Sequence, residues 1–289
     1  MIERAISFGP DGGLVGVLAE PPPGRAIANA PVVLMWNVGI NHHVGPYRFN
    51  VELARALAER GFTSLRFDVS GMGDSTVRTE GQVEAERTVA DVRDAIALLE
   101  KRKGVRRVVL VGFCSSVDAA HALGVKDERV HGVCYVEGYA YRTRGFWMRY
   151  PRRLLDRYRW RRFLATRFPQ VVQGPTGEVL LDPRREERAA QGSVFVRDYP
   201  TREEFGAGVE RMAKRGARLL FLYVGGDTTF NHTRQFSEMV GHRNFEGRVE
   251  IEFYGDADHT FYKVKDRARA IDRIVRWAEE RFSAAPTRA

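Results

Sequence analysis

Val108-Val109-Leu110-Val111-Gly112-Phe113-Cys114-Ser115-Ser116 decides how the chain reads. The apolar, β-branched run predicts a buried strand, and it leads directly into a short stretch of small residues. A thiol therefore sits where a strand-to-helix turn would display a nucleophile. Such a turn is too sharp for bulk two residues before and two after the displayed group. Gly112 and Ser116 meet that demand around Cys114. Centring the turn on Ser115 would put Phe113 at a small-residue position, and centring it on Ser116 would put Asp118 there. Cys114 is the expected nucleophile; the plain alternative is a small buried hydrophobe, a common use of cysteine.

Working outward, the chain alternates strand and helix in units of about 30 residues, which calls for a mostly parallel sheet with helical crossovers. Strands are predicted over 4–8 and 14–19, joined by the turn Pro10-Asp11-Gly12-Gly13, then over 31–36 and 63–67. Helical spacing of Phe49, Leu53, Ala54, Leu57 and Ala58 predicts a helix over 47–60, stopped by Gly61. A helix over 83–101 precedes the strand 107–111, a helix opens at Cys114, and 130–136 is again a buried strand. The pattern returns with strands over 218–224 and 249–254 and an amphipathic helix over 263–282. Between them the alternation breaks. The expected organisation is a core of residues 1–137 and 217–289 with an inserted helical cap over 138–216.

Two further groups fall just past strand ends in a telling order. Tyr223-Val224-Gly225-Gly226-Asp227 places a carboxylate after one strand, and Gly255-Asp256-Ala257-Asp258-His259-Thr260 places a histidine after the last. Catalytic groups of open parallel sheets collect outside the carboxyl ends of the strands. His259 would take the Cys114 proton, since the thiolate is the attacking species. Asp227 would accept from the other ring nitrogen and fix the tautomer. Glu137, at the end of the preceding strand, is the rival acid. The backbone N–H groups of Ser115 and Ile40 are the expected oxyanion donors, the latter from the loop Val38-Gly39-Ile40. Asp256 and Asp258 read as turn residues. His42 is placed at the pocket mouth without a metal role, because no partner ligand follows His42-His43 at a useful spacing. His121, His131, His232 and His242 belong to no constellation.

The order nucleophile, acid, histidine, together with the elbow, resembles the α/β-hydrolase superfamily over nearly the whole chain outside the cap. The segments Asn37-Val38-Gly39 to Gly45-Pro46-Tyr47-Arg48 and Leu65-Arg66-Phe67-Asp68 to Gly71-Met72-Gly73-Asp74-Ser75 look more specifically like hydrolases associated with exosortase gene clusters. Those proteins also tend to carry cysteine at the elbow; Val38 and Ser115-Ser116 depart from the subgroup pattern. The resemblance implies an eight-stranded, mostly parallel sheet flanked by helices, an α/β-hydrolase fold, and no cofactor. A cysteine nucleophile favours ester and thioester substrates over amides, because a thiolate leaves more readily than an amine. An acyltransferase or carrier-linked thioesterase fits the same residues. A non-catalytic binder of an anionic lipid or acidic protein is the alternative from another class.

Composition bounds the partners. The 289 residues carry a net charge of +9, are 44% hydrophobic and 11% aromatic, and include two cysteines, Cys114 and Cys134. No zinc spacing, helix-turn-helix or aromatic RNA-binding signature accompanies the positive charge, so nucleic acid is not expected. No stretch reaches the ~20 apolar residues of a membrane span. The first residues lack a signal-peptide layout, and two cysteines are no disulfide framework, so a reducing cytoplasm is expected. The cap crowds arginines, Arg152 and Arg153 among them, around aromatic residues such as Trp147. That composition is either a solvated face with snorkelling stems or a docking surface for an acidic acyl carrier protein or anionic lipid.

Overall fold

The computed structural model describes residues 1–78, 84–150, 199–225 and 229–283. The chain divides into two compact units, Met1–Tyr141 with Tyr199–Ala289, and Arg142–Asp198. The first holds one eight-stranded sheet in the order β1-β2-β4-β3-β5-β6-β7-β8. Its strands are β1 (Ile2–Phe8), β2 (Leu14–Glu20), β3 (Val32–Met35), β4 (Ser64–Phe67), β5 (Val108–Phe113), β6 (Val130–Val136), β7 (Arg218–Val224) and β8 (Val249–Tyr254). Strand β2 runs antiparallel to both of its neighbours, and every other pairing is parallel.

Helices cover both faces, which is why the two central strands, β3 and β5, carry no polar residue. Val33, Met35, Val109, Val111, Leu220 and Leu222 face α1 (Phe49–Glu59) and the terminal helix, Val264–Phe282. The intervening residues Val32, Leu34, Val108, Leu110, Leu219 and Phe221 face the opposite layer. That layer contains α2 (Glu84–Lys103), α3 (Val117–Lys126), α5 (Arg202–Lys214) and α6 (Gln235–Val240), with α4 (Arg144–Arg149) in the second unit and α7 the terminal helix. Strict alternation between two apolar clusters is the period-2 consequence of a sheet buried on both sides.

The expected strand and helix positions match closely, with two differences. The turn after β5 is first a 3₁₀ turn, Cys114–Ser116, and α3 starts only at Val117. Residues 138–141 and 199–216 lie in the sheet unit, whereas the sequence pattern assigned them to the cap. Helix α5 explains this second difference. Thr201 caps its start, accepting from the Glu204 N–H, while Glu204 accepts from the Thr201 N–H. Phe205, Val209 and Met212 then bury completely in the core. A capping box followed by an apolar stripe makes a core helix rather than a lid.

Trp277 of α7 is fully buried and packs edge-on against Phe282. Trp277→Ala should cost about 3–5 kcal/mol in urea denaturation. The exposed neighbour Arg276, paired with Asp272 along the helix, should change stability by no more than about 0.5 kcal/mol on replacement by alanine.

Candidate active site

Cys114 has a left-handed backbone, φ +50°. For a residue bearing a Cβ that conformation costs on the order of 1 kcal/mol, so neighbouring bonds must hold it. Ser116 supplies two: its Oγ accepts from the Phe113 N–H at 2.6 Å and donates to the Phe113 carbonyl at 2.9 Å. Gly112 supplies space. A Cβ there would lie 2.8 Å from the Val117 Cα and 3.0 Å from its nitrogen, both backbone atoms that cannot step aside. The small residues at both flanks thus have separate tasks, one to admit α3 and one to lock the turn. The thiol that results is partly exposed, while Cys134, in mid-strand, is buried; both are unpaired.

Parallel pairing sets the rest of the site beside it. Phe113 pairs with Val136, so the next residues, Cys114 and Glu137, emerge at neighbouring strand ends. Glu137 is also left-handed, φ +53°, and buried. Its Oε1 accepts from the Val224 N–H at 2.6 Å, and its Oε2 lies 2.9 Å from His259 Nδ1. His259, in the turn after β8, bonds Glu137 and interacts electrostatically with Cys114. Burial works against charge on this ring, but the Cys114 and Glu137 side chains outweigh it and carry the pKa from 6.5 up to about 10. The ring is therefore an imidazolium at neutral pH. Its Nδ1 donates to Glu137, which leaves Nε2 for the sulfur. Phe113 meets the same ring edge-to-face, 6.2 Å between centroids.

Of the two acids weighed from the sequence, Glu137 is the one seen at the histidine; Asp227 lies outside the described residues. Asp258 is a turn residue, accepting from the Thr260 N–H and hydroxyl. Asp256 pairs with Arg269. His121 sits in the core against the Tyr135 hydroxyl, 3.0 Å away, where burial lowers its pKa to about 4.

The loop after β3 forms the other wall. Asn37 ties it to the end of β4, donating to the Asn41 carbonyl and to Asp68 while accepting from the Val69 N–H. Gly39, φ +54°, turns the chain and donates its N–H to Ser115 Oγ at 2.8 Å. The Ile40 side chain is 84% exposed. Asp68, fully buried, anchors the loop with both oxygens. Oδ1 accepts from Asn37 Nδ2 and the His43 N–H, and Oδ2 from His43 Nδ1 and the Asp74 N–H. Burial would raise the Asp68 pKa, but the His43 side chain and these backbone donors more than offset it and hold the carboxyl below its ordinary value.

His42, His43, Asp68 and Asp74 do come together, bringing carboxylates to a histidine pair whose sequence surroundings show no such partner. Four donors fill the in-plane lone pairs of Asp68, so hydrogen bonds tie the cluster together. His42 is exposed at its edge, 3.6 Å from Asp74 and 3.7 Å from Asp68. In the second unit, Trp147 is half-exposed and lies under the Arg142 guanidinium, 5.5 Å from its ring centre. Arg152 and Arg153 lie outside the described residues. No described helix is long and apolar enough to cross a membrane.

Residues 32–273 match a family model described as the alpha/beta hydrolase family. Among solved structures, a Pyrococcus furiosus esterase is similar with a TM-score of 0.62 at 12% identity, over 98% of this chain and 93% of the other. An alpha/beta hydrolase from Penicillium sp. gives 0.61 at 15% identity, over 98% and 100%. The esterase domain of a Rhodothermus marinus protein gives 0.57 at 16% identity, again over 98% and 100%. No curated protein matches the sequence.

The raised His259 pKa carries a pH signature. Its charged form stabilises the fold fully below the unfolded value of about 6.5, and that contribution drains away as pH rises through about 10. The melting-temperature advantage of the parent over His259→Gln should shrink steadily across that interval. A constant or growing advantage would rule out the charged pair. In Glu137→Gln the ring, followed by NMR, should titrate at lower pH than in the parent.

Proposed function

The chain belongs to the alpha/beta hydrolase family, and we propose that it cleaves acyl esters or thioesters through Cys114, His259 and Glu137 by way of a covalent acyl-enzyme. The observation that carries this reading is the His259 ring, bonded to the buried Glu137 carboxylate and interacting electrostatically with a cysteine on a strained elbow. Glu137 is preferred to Asp227 because it already engages Nδ1, and the Val224 N–H fixes its second oxygen.

In the proposed cycle the Cys114 thiolate adds to the substrate carbonyl carbon, and the π pair moves onto oxygen. Collapse of the tetrahedral adduct reforms the carbonyl and expels the alkoxide or thiolate. His259 gives its Nε2 proton to that leaving group. The neutral ring then removes a proton from water, which attacks the thioester and releases the acid and Cys114. Glu137 keeps the Nδ1 proton in place throughout and balances the imidazolium. Esters and thioesters suit this chemistry because their leaving groups compete with Cys114 for expulsion. An amine competes poorly, and the adduct would return to substrate.

The test is a panel of p-nitrophenyl acyl esters of graded chain length, acyl thioesters and matched anilides. Esters and thioesters should turn over and anilides should not. Cys114→Ala should abolish turnover with the melting temperature preserved, and full activity in that variant would refute the cysteine mechanism. Glu137→Gln should lower kcat by about 10³-fold or more, through loss of tautomer control, with Asp227→Asn close to the parent. The reverse pattern would return the acid to Asp227. In the native protein, iodoacetamide should modify Cys114 and leave the buried Cys134 untouched.

A further inference from the structure

We propose that the Ser115 hydroxyl is itself a donor of the oxyanion hole, held for that role by the N–H of Gly39; this rests on Cys114 being the nucleophile. The two serines of the elbow are bonded in opposite ways. Ser116 Oγ is buried and uses both its lone pair and its proton on Phe113. Ser115 Oγ is only partly buried and accepts from Gly39 N–H at 2.8 Å, and among the described residues its proton has no acceptor. A hydroxyl fixed through its oxygen, with its hydrogen left over, is an oriented donor waiting for an anion.

Its location matches that role. The residue after a nucleophile contributes its backbone N–H to the tetrahedral oxygen, and the loop after the third strand closes the hole from the other side. Ser115 follows Cys114, and its side chain reaches that loop at Gly39. The hydroxyl therefore spans the gap between the two walls where the substrate oxygen becomes charged. The Gly39 N–H is engaged by the serine oxygen, so Gly39 acts on the substrate through it. Donation from Gly39 draws electron density from Oγ and strengthens the hydrogen bond that Oγ–H can give, the cooperative effect of a chain of hydrogen bonds. No proton changes hands. When the Cys114 sulfur adds to the carbonyl carbon and the π pair settles on oxygen, the Ser115 proton remains on Oγ and shortens its contact with the anion. When the adduct collapses, the contact relaxes. A donor strengthened only while charge is present lowers the barrier without tightening substrate binding.

The experiment compares the parent, Ser115→Ala, Ser115→Gly and Ser115→Thr in two reactions of Cys114. One is hydrolysis of a p-nitrophenyl ester, whose transition state carries an oxyanion. The other is alkylation by iodoacetamide, whose displacement at carbon carries none. Ser115→Ala and Ser115→Gly should each lose about 10²-fold in kcat, with KM and the alkylation rate within about two-fold of the parent. Ser115→Thr, which keeps the hydroxyl, should recover most of kcat. Ester turnover by Ser115→Ala at or above the parent rate would overturn the proposal, since the hydroxyl would then plug the hole or merely brace the loop. An equal loss in alkylation would overturn it too, by placing the effect on the sulfur. So would a loss that threonine leaves unrepaired. Failure of the underlying mechanism shows separately, before any Ser115 variant is compared. A parent inert to ester or iodoacetamide, or an active Cys114→Ala, removes the nucleophile and this inference with it.

Discussion

The two-armed carboxylate of Glu137 organises the carboxyl end of the sheet. One oxygen holds the Val224 N–H at the end of β7, and the other holds His259 beyond β8. The residue itself leaves β6 in a left-handed conformation, and its own N–H is tied to the Leu222 carbonyl. Three successive strand ends are therefore fastened by one buried anion. A buried carboxylate with both oxygens bonded is a rigid reference point, and a carboxylate with one oxygen loose would be a costly one. The histidine inherits that rigidity, and through it so does the thiol.

A second buried anion, Asp68, does for the loop after β3 what Glu137 does for the histidine. It gathers Asn37, His43 and the Asp74 backbone around the ends of β3 and β4. Gly73 fits closely against it: a Cβ there would fall 2.2 Å from an Asp68 oxygen. The site is thus framed by two carboxylates with different duties. Glu137 holds the ring beside Cys114; Asp68 accepts hydrogen bonds that shape a loop. The elbow lies between them, linked to one through His259 and to the other side through Ser115 and Gly39.

Local patterns made much of this legible beforehand. The elbow flanks depend on steric demands within five residues, and β6, β7 and β8 span the predicted strands 130–136, 218–224 and 249–254. His259 was readable for the same reason, as a polar residue just past a strand. Choosing between Glu137 and Asp227 needed the register of β5 against β6 and the reach of a side chain, neither of which a linear sequence contains. The Asp68 cluster was hidden because its members are 25 residues or more apart except for the His42-His43 pair and Asp74. Helix α5 was hidden by its surroundings, since the arginine-rich segment before it masked a good signal. Thr201-Arg202-Glu203-Glu204 with Phe205, Val209 and Met212 has both a capping box and a buried stripe.

The unequal burial of the two cysteines sets how this protein meets oxidants. Cys134 pairs in register with Val111, three residues before Cys114, which offsets the two Cα atoms by roughly 10 Å along the strands. That span is too long for a disulfide, and the chain has no third cysteine. A sulfenic acid formed on Cys114 would have no resolving thiol within its own molecule. It would be rescued by a small external thiol or proceed to the irreversible sulfinic acid. The same lack of a neighbour that keeps Cys114 from being locked into a disulfide leaves its recovery to the thiol pool around it.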